Sequence, residues 1–464
     1  MDIMEAKSKM RISLLIMFIL HLQMASIFSH SKSIVTQLPS FSGKLPFTLE
    51  TGYVGIAGKR EEVELFYYFV ESQRNPRKDP LLLYLTGGPG TSAVLPFFYQ
   101  IGPVKFEYTN ASRSDVKLEV NPYSWTKTAS IIFIDLPVGT GFSYVKRWDQ
   151  SSRNRDSLAV THAYDFIRKW LVDHPTFLKN PLYITGISYM GLIVPRVVSK
   201  IYDGNERGVG PHLNIKGYLL VNPLTDKFID FNSRIEFAYR AGLVEDELYE
   251  PAKENCGGKY VYVDPNNTLC LNSLRTINEC ISRVNVNFIL DPVCNNREDP
   301  KEICRESIYS YSNIWANEKS VRQALHIREG TVEKFQYTNA NISALFGRPD
   351  TIYYSHDIFS SLAYHKKLVT KKCQALVING DHDMTFPYMG TKKWINSLNL
   401  RVQSPWKPWF IRTQVVGYEK TYSKGKYTLK YATIKGAGHG VAVYKPEESM
   451  VIVDTWLTSH TSFD

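Results

Sequence analysis

An α/β fold with a mostly parallel central sheet is what this sequence predicts, and three observations predict it. Short apolar runs at 80–85, 130–134, 182–185, 215–221 and 374–378 read as strands buried on both faces of a sheet. Helical spacing appears between such runs, most clearly at 156–173, where Ala159, Ala163, Phe166, Ile167 and Trp170 share one face. Glycine-bearing turns follow several of the runs, as at Gly87-Gly88-Pro89-Gly90 and Gly436-Ala437-Gly438. Alternating strands and helices of this kind build a parallel sheet covered on both sides.

The 464 residues are 44% apolar, which supplies a large core, and no repeat or low-complexity tract interrupts them. The net charge of +10 comes from scattered basic residues. Clusters at 74–78 and 420–430 read as short solvated loops. No basic stripe or nucleic-acid motif is present, so nucleic acid is not an expected partner.

At the amino end, Lys7, Lys9 and Arg11 precede the apolar run 12–28, and Ala25, Ser26 and Ser29 supply small residues. That pattern predicts a secretory signal peptide over 1–29, cut near 29–31. An uncleaved anchor is the rival reading, but the run is short for a span. No stable membrane anchor is expected after cleavage. Six cysteines fit an oxidising compartment, and five of them, Cys256, Cys270, Cys280, Cys294 and Cys304, crowd into one irregular segment. Cys256 with Cys270 and Cys280 with Cys294 are the economical local pairings, although six cysteines allow fifteen arrangements. Their spacing does not resemble a zinc site. Sequons at Asn110, Asn266 and Asn341 become candidate glycosylation sites in that context.

In order, 38–47 is turn-rich, 53–56 and 63–70 read as paired antiparallel strands, and 80–85 is a buried strand ending in Thr86 and the glycine loop. That loop lacks the lysine and spacing of a phosphate cradle, and its amides suit an oxyanion hole. Strand 130–134 leads into Asp135-Leu136-Pro137-Val138-Gly139-Thr140-Gly141-Phe142-Ser143-Tyr144, and Asp156 caps the next helix. Strand 182–185 then enters Gly186-Ile187-Ser188-Tyr189-Met190, a sharp strand-to-helix turn with a serine at its apex. Strand 215–221 follows. From 226 to 349 the pattern loosens, with helices at 237–249 and 320–325, and reads as a cap inserted between 30–225 and 350–464 of one core. Strand 374–378 leads to Gly380-Asp381-His382-Asp383, strand 428–434 to Gly438-His439-Gly440, and a helix covers 447–457.

A serine, then an acid after a late strand, then a histidine after the last strand is the triad order of the α/β-hydrolase fold. Ser188 is the candidate nucleophile, His439 the base and Asp383 the acid, with Asp381 competing for that role. Gly88 and Tyr189 would supply the oxyanion amides. This chemistry asks for no metal and no cofactor. Thr86, Gly87 and Ile187 are the candidate substrate contacts.

The chain is similar to plant serine carboxypeptidase-like proteins (peptidase family S10) over nearly its whole mature length. The match rests on Gly87-Gly88-Pro89-Gly90, the motif from Asp135 to Tyr144, His174-Pro175 ahead of Asn180-Pro181, Gly380 to Asp383 and Gly438-His439. The resemblance implies the α/β-hydrolase fold and either a peptidase or an acyltransferase. Leu45-Pro46-Phe47, Glu50 to Tyr53 and Leu85 to Gly88 resemble the acyltransferase branch, which moves an acyl group from a 1-O-β-glucose ester to an alcohol, usually in the vacuole. Peptidase members carry Asn at the Thr86 position and Glu at the Ile187 position, a pair that binds a peptide's terminal carboxylate. Acyltransferases usually carry Asp at the Ile187 position, so this chain departs from both branches there. The family also has a disulfide-bonded Cys at the Thr91 position, which leaves a cysteine such as Cys304 with a changed partner. Met190 replaces a small residue and would narrow the elbow's surroundings. The function expected is therefore an acyltransferase with an acyl-glucose donor and an alcohol acceptor, an alkaloid alcohol such as tropine among the possibilities. A serine carboxypeptidase and a non-catalytic binding protein on the same scaffold are the alternatives.

Overall fold

The computed structural model describes residues 32–58, 61–107, 116–148, 154–293, 308–343 and 354–461. The expected signal peptide, the Asn110 sequon, Cys294 and Cys304 lie outside them. The strands are β1 (Lys32–Val35), β2 (Leu49–Ala57), β3 (Glu61–Val70), β4 (Leu81–Leu85), β5 (Val104–Glu107), β6 (Lys117–Val120), β7 (Ser130–Ile134), β8 (Tyr144–Trp148), β9 (Leu182–Ile187), β10 (Ile215–Val221), β11 (Gln374–Gly380), β12 (Arg401–Ile411), β13 (Gln414–Lys424) and β14 (Tyr427–Ile434). All but β5 and β6 join one twelve-stranded sheet, in the order β1-β2-β3-β7-β4-β9-β10-β11-β14-β13-β12, with β8 paired to β3. The middle, from β7 to β14, is parallel. This is the α/β-hydrolase sheet that the strand and helix alternation predicts.

The apolar runs are explained by what they touch. In β4, Leu81, Leu83 and Leu85 face one core while Leu82 and Tyr84 face the other. A strand buried on both sides needs apolar residues at every position. Helices Asp156–Asp173 and Val194–Glu206 cover the first face through Ile167, Trp170, Val197 and Ile201. Helices Val94–Tyr99 and Pro446–Thr461 cover the second through Phe97, Phe98, Val453 and Trp456. Burying each such side chain contributes about 1.5–3 kcal/mol. Parallel strands all point their carboxyl ends at one edge, and there the sheet offers its loops for chemistry.

Several expectations need correction. The helix expected at 237–249 is two helices, Lys227–Arg240 and Asp246–Cys256, broken where Gly242 takes φ +72°. The cysteine segment holds a regular helix, Thr268–Cys280, stapled to its neighbour by the Cys256–Cys270 disulfide. Cys280 carries a free, exposed thiol, so the Cys280–Cys294 pairing is not present among the described residues. Asp156 does not cap its helix: Arg155 stands at the cap position, and the Asp156 carboxylate turns inward to accept from Tyr189 Oη (2.8 Å) and Tyr354 Oη (2.7 Å). The basic cluster 420–430 is not a loop but part of a β12–β13–β14 ribbon in which Lys430 pairs with Glu419 at 3.0 Å. Strand β12, which is not among the expected strands, carries Pro405 and Pro408; proline removes a ladder donor, and β12 tolerates it as an edge strand.

The loosely patterned segment has two fates. Its first part forms a separate apolar cluster of Ile235, Phe237, Tyr249, Leu274 and Ile277 with Met384 and Met389. Its second part, with helices Ser310–Asn317 and Lys319–Ala324, sends Trp315 into the second core, its ring 4.6 Å from that of Phe98. The residue facing Thr91 is Thr338. No helix of the described residues is long and apolar enough to cross a membrane.

Candidate active site

Strand β9 ends at Ile187, and Ser188 begins a tight turn (Ser188–Gly191) into helix Val194–Glu206. Ser188 has φ +62°, a left-handed conformation that costs a non-glycine residue about 1–3 kcal/mol and marks functional turns. The surroundings enforce it. A Cβ on Gly186 would lie 2.7 Å from Met190 Cβ, and one on Gly191 would lie 2.4 Å from the Leu224 carbonyl. The Ser188 carbonyl accepts from Leu224 N–H at 2.9 Å. Strand, turn and helix can pack this closely only with glycine at both points.

The glycine-rich loop after β4 crosses directly over the nucleophile. A Cβ on Gly87 would sit 2.7 Å from Ser188 Cβ and 3.2 Å from its hydroxyl. Gly88 and Gly90 adopt φ +119° and +88°. The loop is anchored by Asp135, whose carboxylate accepts from Ser92 Oγ (2.7 Å), Ala93 N–H (2.8 Å) and Phe142 N–H (2.8 Å). Burial pushes the Asp135 carboxyl up to about 6, against those three donors. The motif carrying Asp135 was legible in the sequence; its role as the loop's anchor was not. Tyr189, next to the serine, is buried, and its hydroxyl holds Asp156.

His439 and Asp383 are in direct contact with each other. His439 Nδ1 lies 2.9 Å from Asp383 Oδ2, with the carboxylate fully buried and the imidazole 17% exposed. Thr385 N–H donates to the other carboxylate oxygen at 2.7 Å. Asp381 is placed elsewhere: its Oδ1 accepts from Gly436 N–H and contacts His382 Nδ1. Of the two candidate acids, only Asp383 reaches His439. Arg234 lies behind the pair and donates from Nε and Nη2 to the Thr385 carbonyl at 3.0 and 2.8 Å. Burial pulls the Arg234 guanidinium down to about 10, although Asp383 and Asp230 oppose that.

Asn222, which sequence reasoning missed, ties three strand ends together. It is fully buried with φ +41°, a conformation asparagine tolerates. Its Nδ2 donates to the carbonyls of His439 (2.5 Å) and Gly438 (3.1 Å), and its Oδ1 accepts from Gly380 N–H at 2.9 Å. The usable signal was Asn222-Pro223 directly after a buried strand.

The substrate-side residues differ in character. Ile187 is 6% exposed and packs in the second core, offering no polar atom. Thr86 is 3% exposed, and its hydroxyl has no partner among the described residues. Met190 is buried in the first core, packed against Gly186 of the elbow, whereas Ile187 lies in the second core. Asn266 and Asn341 are exposed.

Comparison with known proteins agrees with this architecture. The sequence profile of the serine carboxypeptidase family, Peptidase S10, matches residues 39–459. Serine carboxypeptidase-like 17 of Arabidopsis thaliana is 42% identical over 428 residues, covering 92% of this chain and 93% of that protein. Serine carboxypeptidase-like 2 of the same plant is 43% identical, covering 92% of each. The crystal structure of a prohormone-processing carboxypeptidase from Saccharomyces cerevisiae superimposes with a TM-score of 0.71 at 19% identity, covering 89% of this chain and 92% of that one.

Proposed function

Because this chain belongs to the serine carboxypeptidase family, we propose that it is an enzyme of the family's acyltransferase kind, working through Ser188, His439 and Asp383 on a 1-O-acylglucose donor. The observation that carries the choice is Ile187. A peptidase of this family needs paired polar side chains to grip a terminal carboxylate. Ile187 offers none, and Thr86 offers a single hydroxyl. Missing partners of this kind cost a peptide substrate several kcal/mol of discrimination, on the order of 10⁴-fold in rate.

In this reading His439 takes the Ser188 proton as Oγ attacks the ester carbonyl. Asp383 holds the imidazole so that its other nitrogen faces the serine. The amides of Gly88 and Tyr189 hold the oxyanion. The bond from carbonyl carbon to the glucose oxygen breaks, and His439 returns the proton to the departing sugar. An acceptor alcohol then gives its proton to His439 and attacks the acyl-enzyme; collapse frees the new ester and restores Ser188. An apolar surround at Ile187 favours the alcohol by excluding water. The acceptor class we favour is an alcohol of specialised metabolism, alkaloid alcohols included. We propose the vacuole as the compartment, from the basic and apolar leader and the family resemblance, with glycans at the exposed Asn266 and Asn341.

Incubating the purified chain with a panel of 1-O-acylglucoses and alcohols, and weighing products by mass spectrometry, tests this. Ester products that vanish in Ser188→Ala are expected. Efficient release of carboxyl-terminal residues from peptides, with no transfer to any alcohol, would replace this reading with a carboxypeptidase.

A further inference from the structure

The loop following helix Thr268–Cys280 runs over both turns that carry the acid and the base. Met384 N–H donates to the Val286 carbonyl at 2.9 Å, and Ile289 N–H reaches the His382 carbonyl at 3.3 Å. Asn287 makes the two contacts that matter most. Its carbonyl accepts from His439 N–H at 2.6 Å. Its Oδ1 accepts from Thr385 Oγ1 at 2.8 Å, and the Thr385 amide in turn donates to Asp383 at 2.7 Å. The fit is tight: a Cβ on Gly438, next to the base, would lie 2.4 Å from the Asn287 carbonyl. Asn287 is itself fixed, since its N–H donates to Asn285 Oδ1 at 3.1 Å.

We infer that Asn287 is a positioning residue for the acid–base pair, its main chain holding His439 and its side chain holding Asp383 through Thr385. The inference rests on the triad proposed above. Its physical content is distance control. His439 and Asp383 sit on different loops, after β14 and β11, and hydrogen-bond strength falls steeply as geometry worsens. One residue that touches both loops removes the freedom of each relative to the other. Asn222 does the same from inside the sheet, so the pair is held from two sides. The charged groups around the pair are Arg234 behind Thr385 and the Asp381–His382 pair at the start of the same turn.

The test is the rate of covalent labelling of the full chain by a fluorophosphonate, measured from pH 4 to 8, which reads serine activation whatever the substrate. Asn287→Ala and Thr385→Val should each slow labelling about tenfold while thermal melting stays near that of the wild type. A carboxylate held less firmly stabilises imidazolium less, so the acid limb should move down by about half a pH unit in both. Asn287→Asp keeps the acceptor but adds negative charge, and should recover most of the rate with the acid limb moved up. The double variant should be no slower than either single one, because both cut the same chain of contacts. Wild-type rates in the variants, or slower labelling with an unmoved acid limb, would overturn the positioning role. Failure of the folded wild type to label at all would overturn the triad itself, and this inference with it.

Discussion

Thr91 lies directly opposite Thr338 in an isolated antiparallel bridge, with the two hydroxyl oxygens 3.3 Å apart. The bridge fastens the loop over Ser188 to the segment that follows helix Lys319–Ala324, and neighbouring main-chain bonds reinforce it: Ser92 N–H to the Tyr337 carbonyl at 2.8 Å and Asn339 N–H to the Gly90 carbonyl at 2.9 Å. Residues facing each other in an antiparallel pair have Cα atoms about 4.5–5.5 Å apart, inside the range a disulfide spans. Thr91→Cys with Thr338→Cys should therefore oxidise spontaneously and add about 2 kcal/mol. A melting temperature raised by a few degrees, and returned by dithiothreitol, is the expected result; no gel shift on reduction would show that the geometry does not close.

The two candidate acids are separable by substitution. Asp383→Asn should lower kcat by about 10⁴-fold, because the amide fixes the wrong imidazole tautomer. Asp381→Asn keeps an acceptor for Gly436 N–H and should leave kcat within about threefold, since Asp381 does not touch His439. Steady-state kinetics with any ester the enzyme accepts will decide, and equal losses would mean that the acids share the work.

The loop over the nucleophile allows no side chain. A methyl at residue 87 would press on Ser188 Cβ and on the Ile187 carbonyl, which lies 2.8 Å from the ideal Cβ. Gly87→Ala should displace the Gly88 amide and cut kcat by about 10²–10³, the usual effect of losing one oxyanion donor. KM should change far less, and a KM effect alone would mean that the loop binds substrate without serving the oxyanion.

Four buried groups set opposing pH dependences. His162 is 1% exposed, neither ring nitrogen has a hydrogen-bond partner among the described residues, and burial pulls it from 6.5 to about 4. Burial pulls His365 to about 3. Below 6.5 the unfolded chain takes up protons that the folded chain refuses, so both histidines remove stability as pH falls from there. Asp135 and Asp230, raised by burial from 3.8 to about 6 and about 7, act the other way: the folded chain keeps protons that the unfolded chain releases, and stability is lost as pH rises from about 4 through those values. The two sets act in opposition between about pH 4 and 6. His162→Leu should remove one member of the first, with an advantage in melting temperature that grows as pH falls from 6.5 to about 4. An advantage independent of pH would contradict this account.

Central strands and the serine turn were legible in the sequence because their requirements are local: unbroken apolar runs for β4, β7, β9 and β10, and glycine on either side of Ser188. The His439–Asp383 partnership was legible only as chain order, since a separation of 56 positions leaves no local trace. The contacts that hold the site were not legible. Asp135, Asn222 and Asn287 each act by reaching a loop far away in sequence, and nothing in their neighbours' spacing records that. The helix broken at Gly242 was misread and the strand containing Pro405 and Pro408 was missed for a different reason: periodicity does not report where a chain turns, and proline argues against a strand until its place at an edge is known.

That edge has a consequence of its own. Strand β12 is eleven residues long and ends the sheet on one side, with Val402, Trp406 and Phe410 exposed along it. Long apolar edges invite a strand from another molecule, and through it fibril growth. Pro405 and Pro408 withhold two donors from the run, and Lys407 sets a charge between them. Two prolines and a lysine thus make this edge a poorer template for a neighbour's strand.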